Sequence, residues 1–107
     1  MSETREEILE RRRRTKAEYG PLFDSIVALL FQHDPVGIKF ESNTDEYEPE
    51  AEAILPRLNA CQSVENVRQV VHEEFVRWFD PSTVGRVERY TQIAIEIWAL
   101  WQKRNIL

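Results

Sequence analysis

Apolar residues recur at helical spacing along much of the chain, and they define two clear stripes. The first stripe consists of Leu22, Phe23, Ile26, Val27 and Leu30, and the second of Val64, Val67, Val71, Phe75 and Trp78. Spacings of three and four residues place the members of each stripe on one side of an α-helix. Each stripe therefore predicts a helix that buries one face in a common core.

Two further helices are expected from the same kind of evidence. One should begin between Asp45 and Pro49, because its acidic first turn suits the positive end of a helix dipole. The other should run from Asp80 through Trp101, since Asp is a good N-cap and Pro81 suits the first helical position. Apolar residues nearly encircle this last helix, which indicates a central position or a contact with a second subunit.

A charged segment precedes the first apolar stripe. Residues 4–19 are rich in Glu and Arg and carry few apolar side chains. Gly20-Pro21 then interrupts, because proline lacks a backbone donor and disfavours helical geometry in the residue before it. We predict one all-α domain, a small four-helix bundle-like fold, with an exposed charged N-terminal helical arm at residues 1–19 and a packed core at residues 20–107.

Charge is unevenly placed along the chain. The 107 residues include 14 basic and 19 acidic side chains, which gives a net charge of −5. Residues 41–52 contain six carboxylates and no Lys or Arg. An acidic protein repels the phosphates of nucleic acids and anionic membranes, so neither is an expected partner. The expected partner is a protein with a basic surface.

The cysteine count and the apolar runs indicate a compartment. Cys61 is the only cysteine, so no internal disulfide can form and a reducing environment is expected. The N-terminal residues are charged and lack the apolar run of a signal peptide. The most apolar run, Ile93 to Trp101, is shorter than the roughly 20 residues that cross a bilayer. We expect a cytoplasmic protein.

The acidic segment is the main candidate for a functional site. A docking surface for a basic partner would use its polar side chains, with Tyr47 as an aromatic anchor. The candidate partner-binding residues are Asp34, Asn43, Asp45, Glu46, Tyr47, Glu48 and Glu50. A calcium loop is a poorer match, since Glu46 stands where such a loop needs glycine. A solvated loop that leads into a helix is the alternative.

The sequence contains no pattern typical of a metal or cofactor site. Neither His33 nor His72 has a second histidine three or four residues away, and no Gly-rich phosphate loop is present. We therefore predict no catalytic residue, metal or cofactor. Cys61 is expected to be an inert, small apolar residue. An enzyme would have to be a small metal-dependent hydrolase that uses His33 and Asp34.

Arg11 to Arg14 form the one basic block of the chain. Four consecutive residues wrap around more than one helical turn, so they cannot form a single stripe. A solvated helix surface is the expected role. Contact with nucleic acid or with an acidic patch of another copy is the alternative.

Several short motifs resemble those of the small bacterial YugE-like helical proteins, which share a D-P-hydrophobic-G turn followed by D-x-Y-x-x-E. The motifs lie within residues 34–80 and comprise Asp34-Pro35-Val36-Gly37, Asp45-Glu46-Tyr47, Glu50 and Trp78-Phe79. The resemblance implies a bacterial, cytoplasmic, all-helical domain. It implies no activity, because that family has no established catalytic residues.

Three classes of function follow from these observations. The leading hypothesis is a noncatalytic protein–protein interaction module, such as an immunity-type inhibitor that blocks a basic toxin through the acidic loop. The first alternative is a structural homo-oligomer, such as a homodimer, that packs through its Trp-rich C-terminal helix. The second alternative is the metal-dependent hydrolase described above.

Overall fold

The computed structural model describes residues 4–37 and 47–104, and the secondary structure in these two ranges is helical. The α-helices are α1 (Arg5–Tyr19), α2 (Pro21–His33), α3 (Glu48–Arg57), α4 (Val64–Trp78), α5 (Pro81–Val84) and α6 (Thr91–Lys103). Short 3-10 segments cover Leu58–Ala60 and Val87–Tyr90. The predicted all-α, bundle-like fold with a helical N-terminal arm is confirmed.

α1 ends at Tyr19 and α2 begins at Pro21, so the helix break that the sequence predicts at Gly20-Pro21 is observed. Gly20 has φ 58° and ψ −137°, a conformation that glycine adopts without steric cost, and Pro21 opens α2. At the other end of α1, Thr4 Oγ1 accepts a hydrogen bond from the Glu7 amide and Glu7 Oε1 accepts one from the Thr4 amide. This reciprocal capping box starts α1 independently of the core.

The last predicted helix is divided in the structure, so the expectation of one helix from Asp80 through Trp101 is wrong. Asp80 does cap a helix, since its Oδ2 accepts from the Thr83 amide at 3.1 Å. That helix, α5, ends after four residues at Gly85, where φ is 77°. A Cβ at Gly85 would lie 3.1 Å from the Arg89 guanidinium, so the backbone approaches that side chain closely.

The core is formed where α2, α3, α4 and α6 pack on one another. Phe75 lies at its centre, with its ring centroid 5.4 Å from that of Tyr90 and 5.8 Å from that of Phe79. Tyr90 also donates a hydrogen bond from its hydroxyl to the Val84 carbonyl at 2.8 Å, which satisfies its polar atom inside the core. The aromatic cluster therefore joins α4 to the segment that precedes α6.

The three tryptophans have different environments. Trp101 is buried at 6% exposure and Trp98 is half-buried against the core. Trp78 is 51% exposed, so the prediction that it completes the buried stripe of α4 is wrong. Trp78 is the last residue of α4, and about half of its side chain stays outside the core.

Candidate functional site

The carboxylates near the start of α3 lie on two different sides of the helix. Glu48 and Glu52 are four residues apart and lie on one face, whereas Glu50 lies on another. Glu50 is 3% exposed and Glu52 is 8% exposed, while Glu48 is half-buried. The predicted exposed acidic loop is therefore, from Glu48 onward, a set of largely buried carboxylates.

Two arginines of α1 reach the face formed by Glu48 and Glu52. Arg11 Nε lies 2.6 Å from Glu52 Oε1, and Arg12 Nε lies 3.0 Å from Glu52 Oε2. Arg12 Nη1 lies 3.1 Å from Glu48 Oε1. We call these four residues the α1–α3 ion cluster. Each Glu52 oxygen accepts a charge-assisted hydrogen bond, which is among the stronger polar contacts available to a protein.

The arginines of the ion cluster belong to a half-buried face of α1. No residue of α1 is buried, yet Ile8, Arg11, Arg12, Thr15 and Tyr19 are half-buried and fall on one helical face. Arginine thus occupies positions where an ordinary packed helix would have leucine. The sequence predicts an exposed arm; no residue of α1 is buried, but this one face lies against the core.

The arginine block is divided by the same geometry. Arg11 and Arg12 turn to α3, whereas Arg13 and Arg14 are exposed. Arg11 and Arg12 therefore contact carboxylates of their own copy. Sequence spacing gives no sign of this contact, because Arg11 and Glu52 are 41 residues apart. The alternative stated from the sequence, contact with nucleic acid or with an acidic patch of another copy, stays a prediction.

A groove lies beside the ion cluster, between α1, α3 and the end of α4. Its volume is about 280 Å³, and it is lined by Arg11, Thr15, Pro49, Glu52, Ala53, Pro56 and Trp78. Apolar side chains form most of this surface, with one ion pair at the edge. We call it the Trp78 groove. It is a mixed apolar and charged surface of the kind that binds protein side chains.

Tyr47 has a structural position that the sequence hypothesis did not anticipate. Its side chain is fully buried, with the ring 5.9 Å from that of Phe75. The hydroxyl donates a hydrogen bond to Asp34 Oδ1 at 2.8 Å. Tyr47 therefore does not present an aromatic anchor at the surface; it holds the start of α3 against the end of α2.

Asp34 is brought to Tyr47 by an unusual backbone conformation. It has φ 47° and ψ 56°, in the left-handed region, where Asp is tolerated better than most residues. Its amide donates to the Leu30 carbonyl at 2.8 Å and so ends α2. Asp34 therefore has a structural role at the end of α2.

His33 and Asp34 do not form an acid–base pair. His33 Nε2 lies 3.0 Å from Glu96 Oε2 on α6, whereas Asp34 is hydrogen-bonded to Tyr47. Across residues 4–37 and 47–104, no three His, Cys, Asp or Glu side chains are grouped in a way that could hold a metal ion. The described residues give the hydrolase hypothesis no geometric support.

A second set of ion pairs joins α3 to α4. Arg57 donates to Glu74 Oε2 at 2.9 Å and to Glu73 Oε1 at 2.6 Å. The hydrogen bond from Arg57, with one from Gln69, lowers the pKa of Glu73. Cys61 lies nearby, and partial burial raises the pKa of its thiol, which disfavours the reactive thiolate.

Three of the predicted site residues, Asn43, Asp45 and Glu46, lie outside the described residues. Of the other four, Asp34 and Tyr47 meet each other, Glu48 belongs to the ion cluster, and Glu50 is buried elsewhere on α3. Glu52 was not among the predicted residues. The signal that could have found it is its spacing of four from Glu48, which places both on one helical face.

Two further findings bear on function. Within the described part of the chain, no helix combines the length and the apolar content needed to cross a membrane. No family model, no curated protein and no solved structure matches the chain. The resemblance to YugE-like proteins therefore stays a prediction.

Proposed function

We propose that the chain is a noncatalytic protein-binding module whose α3 face receives arginine side chains of a basic partner, as an immunity-type inhibitor would. The observation that carries the proposal is the ion cluster itself. Glu48 and Glu52 hold two guanidinium groups from a neighbouring helix at 2.6–3.1 Å. The face therefore has a spacing and a degree of burial that suit arginine.

Burial strengthens this recognition. With α1 in place the Glu52 side chain is only 6% exposed, so a guanidinium in this position pairs with a carboxylate that is largely shielded from water. A planar guanidinium can use both carboxylate oxygens, whereas an ammonium acts as a point charge. The site should therefore prefer arginine to lysine.

The arm is the internal occupant of this face. Because α1 contributes no buried residue, its release would expose little apolar surface. A partner that presents a similar pair of arginines can take its place on Glu52, and the Trp78 groove lies next to the contact to receive apolar side chains. The net charge of −5 would speed the encounter with a cationic partner.

A labelled peptide with the sequence of residues 4–19 tests the proposal by fluorescence anisotropy. We expect the R11A/R12A variant of the full chain to bind this peptide more tightly than the wild type does, because its own arm competes less well. The E48Q/E52Q variant should lose binding. E65Q/E88Q is the matched control, since both residues are exposed carboxylates on other elements, and it should behave as the wild type.

The same binding experiment is repeated at different ionic strengths and with lysine in place of arginine in the peptide. Binding should weaken as ionic strength rises, because it depends on ion pairs. A peptide with lysine in place of Arg11 and Arg12 should bind less tightly than the arginine form. Equal binding of the peptide to R11A/R12A and E48Q/E52Q would contradict the proposal.

A further inference from the structure

The outward face of α6 carries a second surface that the ion cluster does not involve. Glu96, Ala99, Leu100 and Lys103 line a groove of about 320 Å³ together with Leu29 of α2. The four α6 residues follow the spacing i, i+3, i+4 and i+7, so they form one stripe along the helix. Ile95 borders the stripe and is 43% exposed. We call this surface the α6 groove.

The order of residues along the stripe is self-complementary. An acidic side chain lies at one end, a basic side chain at the other, and two apolar residues between them. If two copies pack with their α6 helices antiparallel, a twofold axis between Ala99 and Leu100 brings Glu96 of each copy to Lys103 of the other. We propose that the α6 groove is the docking site for a second copy of this chain.

The centre of the stripe suits such a contact. Ala99 is exposed and small, so two helices can approach closely there. In a twofold interface both copies use the same patch, so Ala99 of each copy lies over Leu100 of the other. Ile95 then adds apolar area on each side of the axis. Alternating apolar and charged contacts of this kind also fix the register of paired helices.

Contacts within one copy position the charged ends. Gln92 Nε2 donates to Glu96 Oε2 at 3.0 Å, and His33 Nε2 lies 3.0 Å from the same oxygen. Both contacts use Oε2 and restrain the carboxylate, which lowers the entropy lost when a second copy binds. Arg104 is the next cation along the chain, but its guanidinium lies 3.6 Å from the centroid of the Trp101 ring. Lys103 is thus the cation that the stripe presents.

The small size of the α6 groove indicates a low affinity for the dimer. A helix of 13 residues is about 20 Å long, so one helix pair with its flanking residues gives a small interface. Interfaces below about 1,200 Å² belong to weak, transient complexes. The dimer should therefore form reversibly as the protein concentration rises. This proposal specifies how a homodimer could form through the C-terminal helix. Ala99 and Leu100 lie at the centre of the contact, in place of the tryptophans expected from the sequence.

Charge-reversal substitutions at Glu96 and Lys103 test the proposal directly. Dimerisation is measured by sedimentation equilibrium at low salt, at protein concentrations from micromolar to millimolar. The wild type should dimerise, while E96K and K103E should each weaken dimerisation by roughly tenfold or more, because like charges then face each other. An equimolar mixture of E96K and K103E should dimerise again, since both charge pairs become attractive across the axis. E65K is the control and should match the wild type.

Two results would overturn the proposal. One is a wild type that stays monomeric at the highest concentration, and the other is a mixture that associates no better than either variant alone. If E96K fails to fold by far-UV circular dichroism, A99R replaces it, because Ala99 is exposed and the substitution leaves the core intact. A99R should abolish the dimer, and a dimer that survives this substitution uses another surface and contradicts the proposal.

Discussion

α1 and α6 are attached to the same core in opposite ways. α6 buries Ile93, Ala94, Ile97 and Trp101, whereas α1 buries no residue and contacts α3 through the α1–α3 ion cluster. Full burial of an aliphatic side chain contributes about 1.5–3 kcal/mol, and α6 buries several apolar side chains, whereas partial exposure of Arg11 and Arg12 reduces what the ion cluster contributes. We therefore expect α1 to separate from the core more easily than α6 does.

This difference separates two kinds of surface. Under the proposed function, the face of α3 beneath α1 is uncovered and offered to a partner, because ion pairs with the arm can be replaced by ion pairs with that partner. The outward face of α6 is fixed in position, which suits a contact with strict register. The following substitutions test the contrast, in order of decreasing effect.

Phe75→Ala should have the largest effect, because it removes the ring at the centre of the aromatic cluster. We expect a loss of about 3–5 kcal/mol in the free energy of unfolding, measured by urea denaturation. Val76→Ala is the neighbouring control, since Val76 is 37% exposed and should change stability little. A similar loss in both variants would mean that the core does not carry the stability of the fold.

Glu52→Gln should separate the attachment of α1 from the stability of the core. Hydrogen bonds to charged groups contribute about 1.5–3 kcal/mol, and partial exposure of the two arginines reduces this, so a loss of about 1–2 kcal/mol is expected. Amide hydrogen exchange should become faster in α1 and stay slow in α4 and α6. Glu65→Gln should change neither region. Faster exchange throughout the chain would show that the arm is part of the cooperative core.

Tyr47→Phe should cost about 1 kcal/mol, because it removes the hydroxyl that donates to Asp34 and keeps the buried ring. Peptide binding at the ion cluster should be unchanged, since Tyr47 is fully buried. A loss of peptide binding with unchanged stability would restore Tyr47 as a surface anchor.

The pH dependence around Asp80 should be the smallest effect. Hydrogen bonds from Ser82 and Thr83 lower the pKa of Asp80 from 3.8 to about 2. Because the pKa is lower in the folded chain, the carboxylate favours folding above pH 3.8, and this contribution is lost as the pH falls through about 2. Asp80→Asn should flatten the change in unfolding midpoint across that window. An unchanged pH profile would contradict the assignment.

Local rules account for much of the fold. The Gly20-Pro21 break and the cap at Asp80 each depend on a few adjacent residues, and both are observed. Gly85 is the exception, because a glycine with positive φ divides a segment whose apolar pattern reads as one helix. Periodicity alone gives no sign of that interruption.

The candidate site depends on contacts that no local pattern contains. Arg11 meets Glu52 only because α1 folds back beside α3. Tyr47 lies among acidic residues in the sequence and so reads as exposed, but the fold places its ring beside Phe75. Charge density indicated only that carboxylates are concentrated at the start of α3. It did not indicate which carboxylates face arginine and which are buried.

Hydrogen exchange of the full chain with and without the arginine peptide tests the central claim most directly, because it reports on α1 while the α3 face is occupied. If the peptide takes the place of the arm, α1 should lose protection as peptide is added, while α4 and α6 keep theirs. Glu52→Gln should abolish this response. Unchanged or increased protection of α1 at saturating peptide would contradict the claim that the arm and a basic partner share one face.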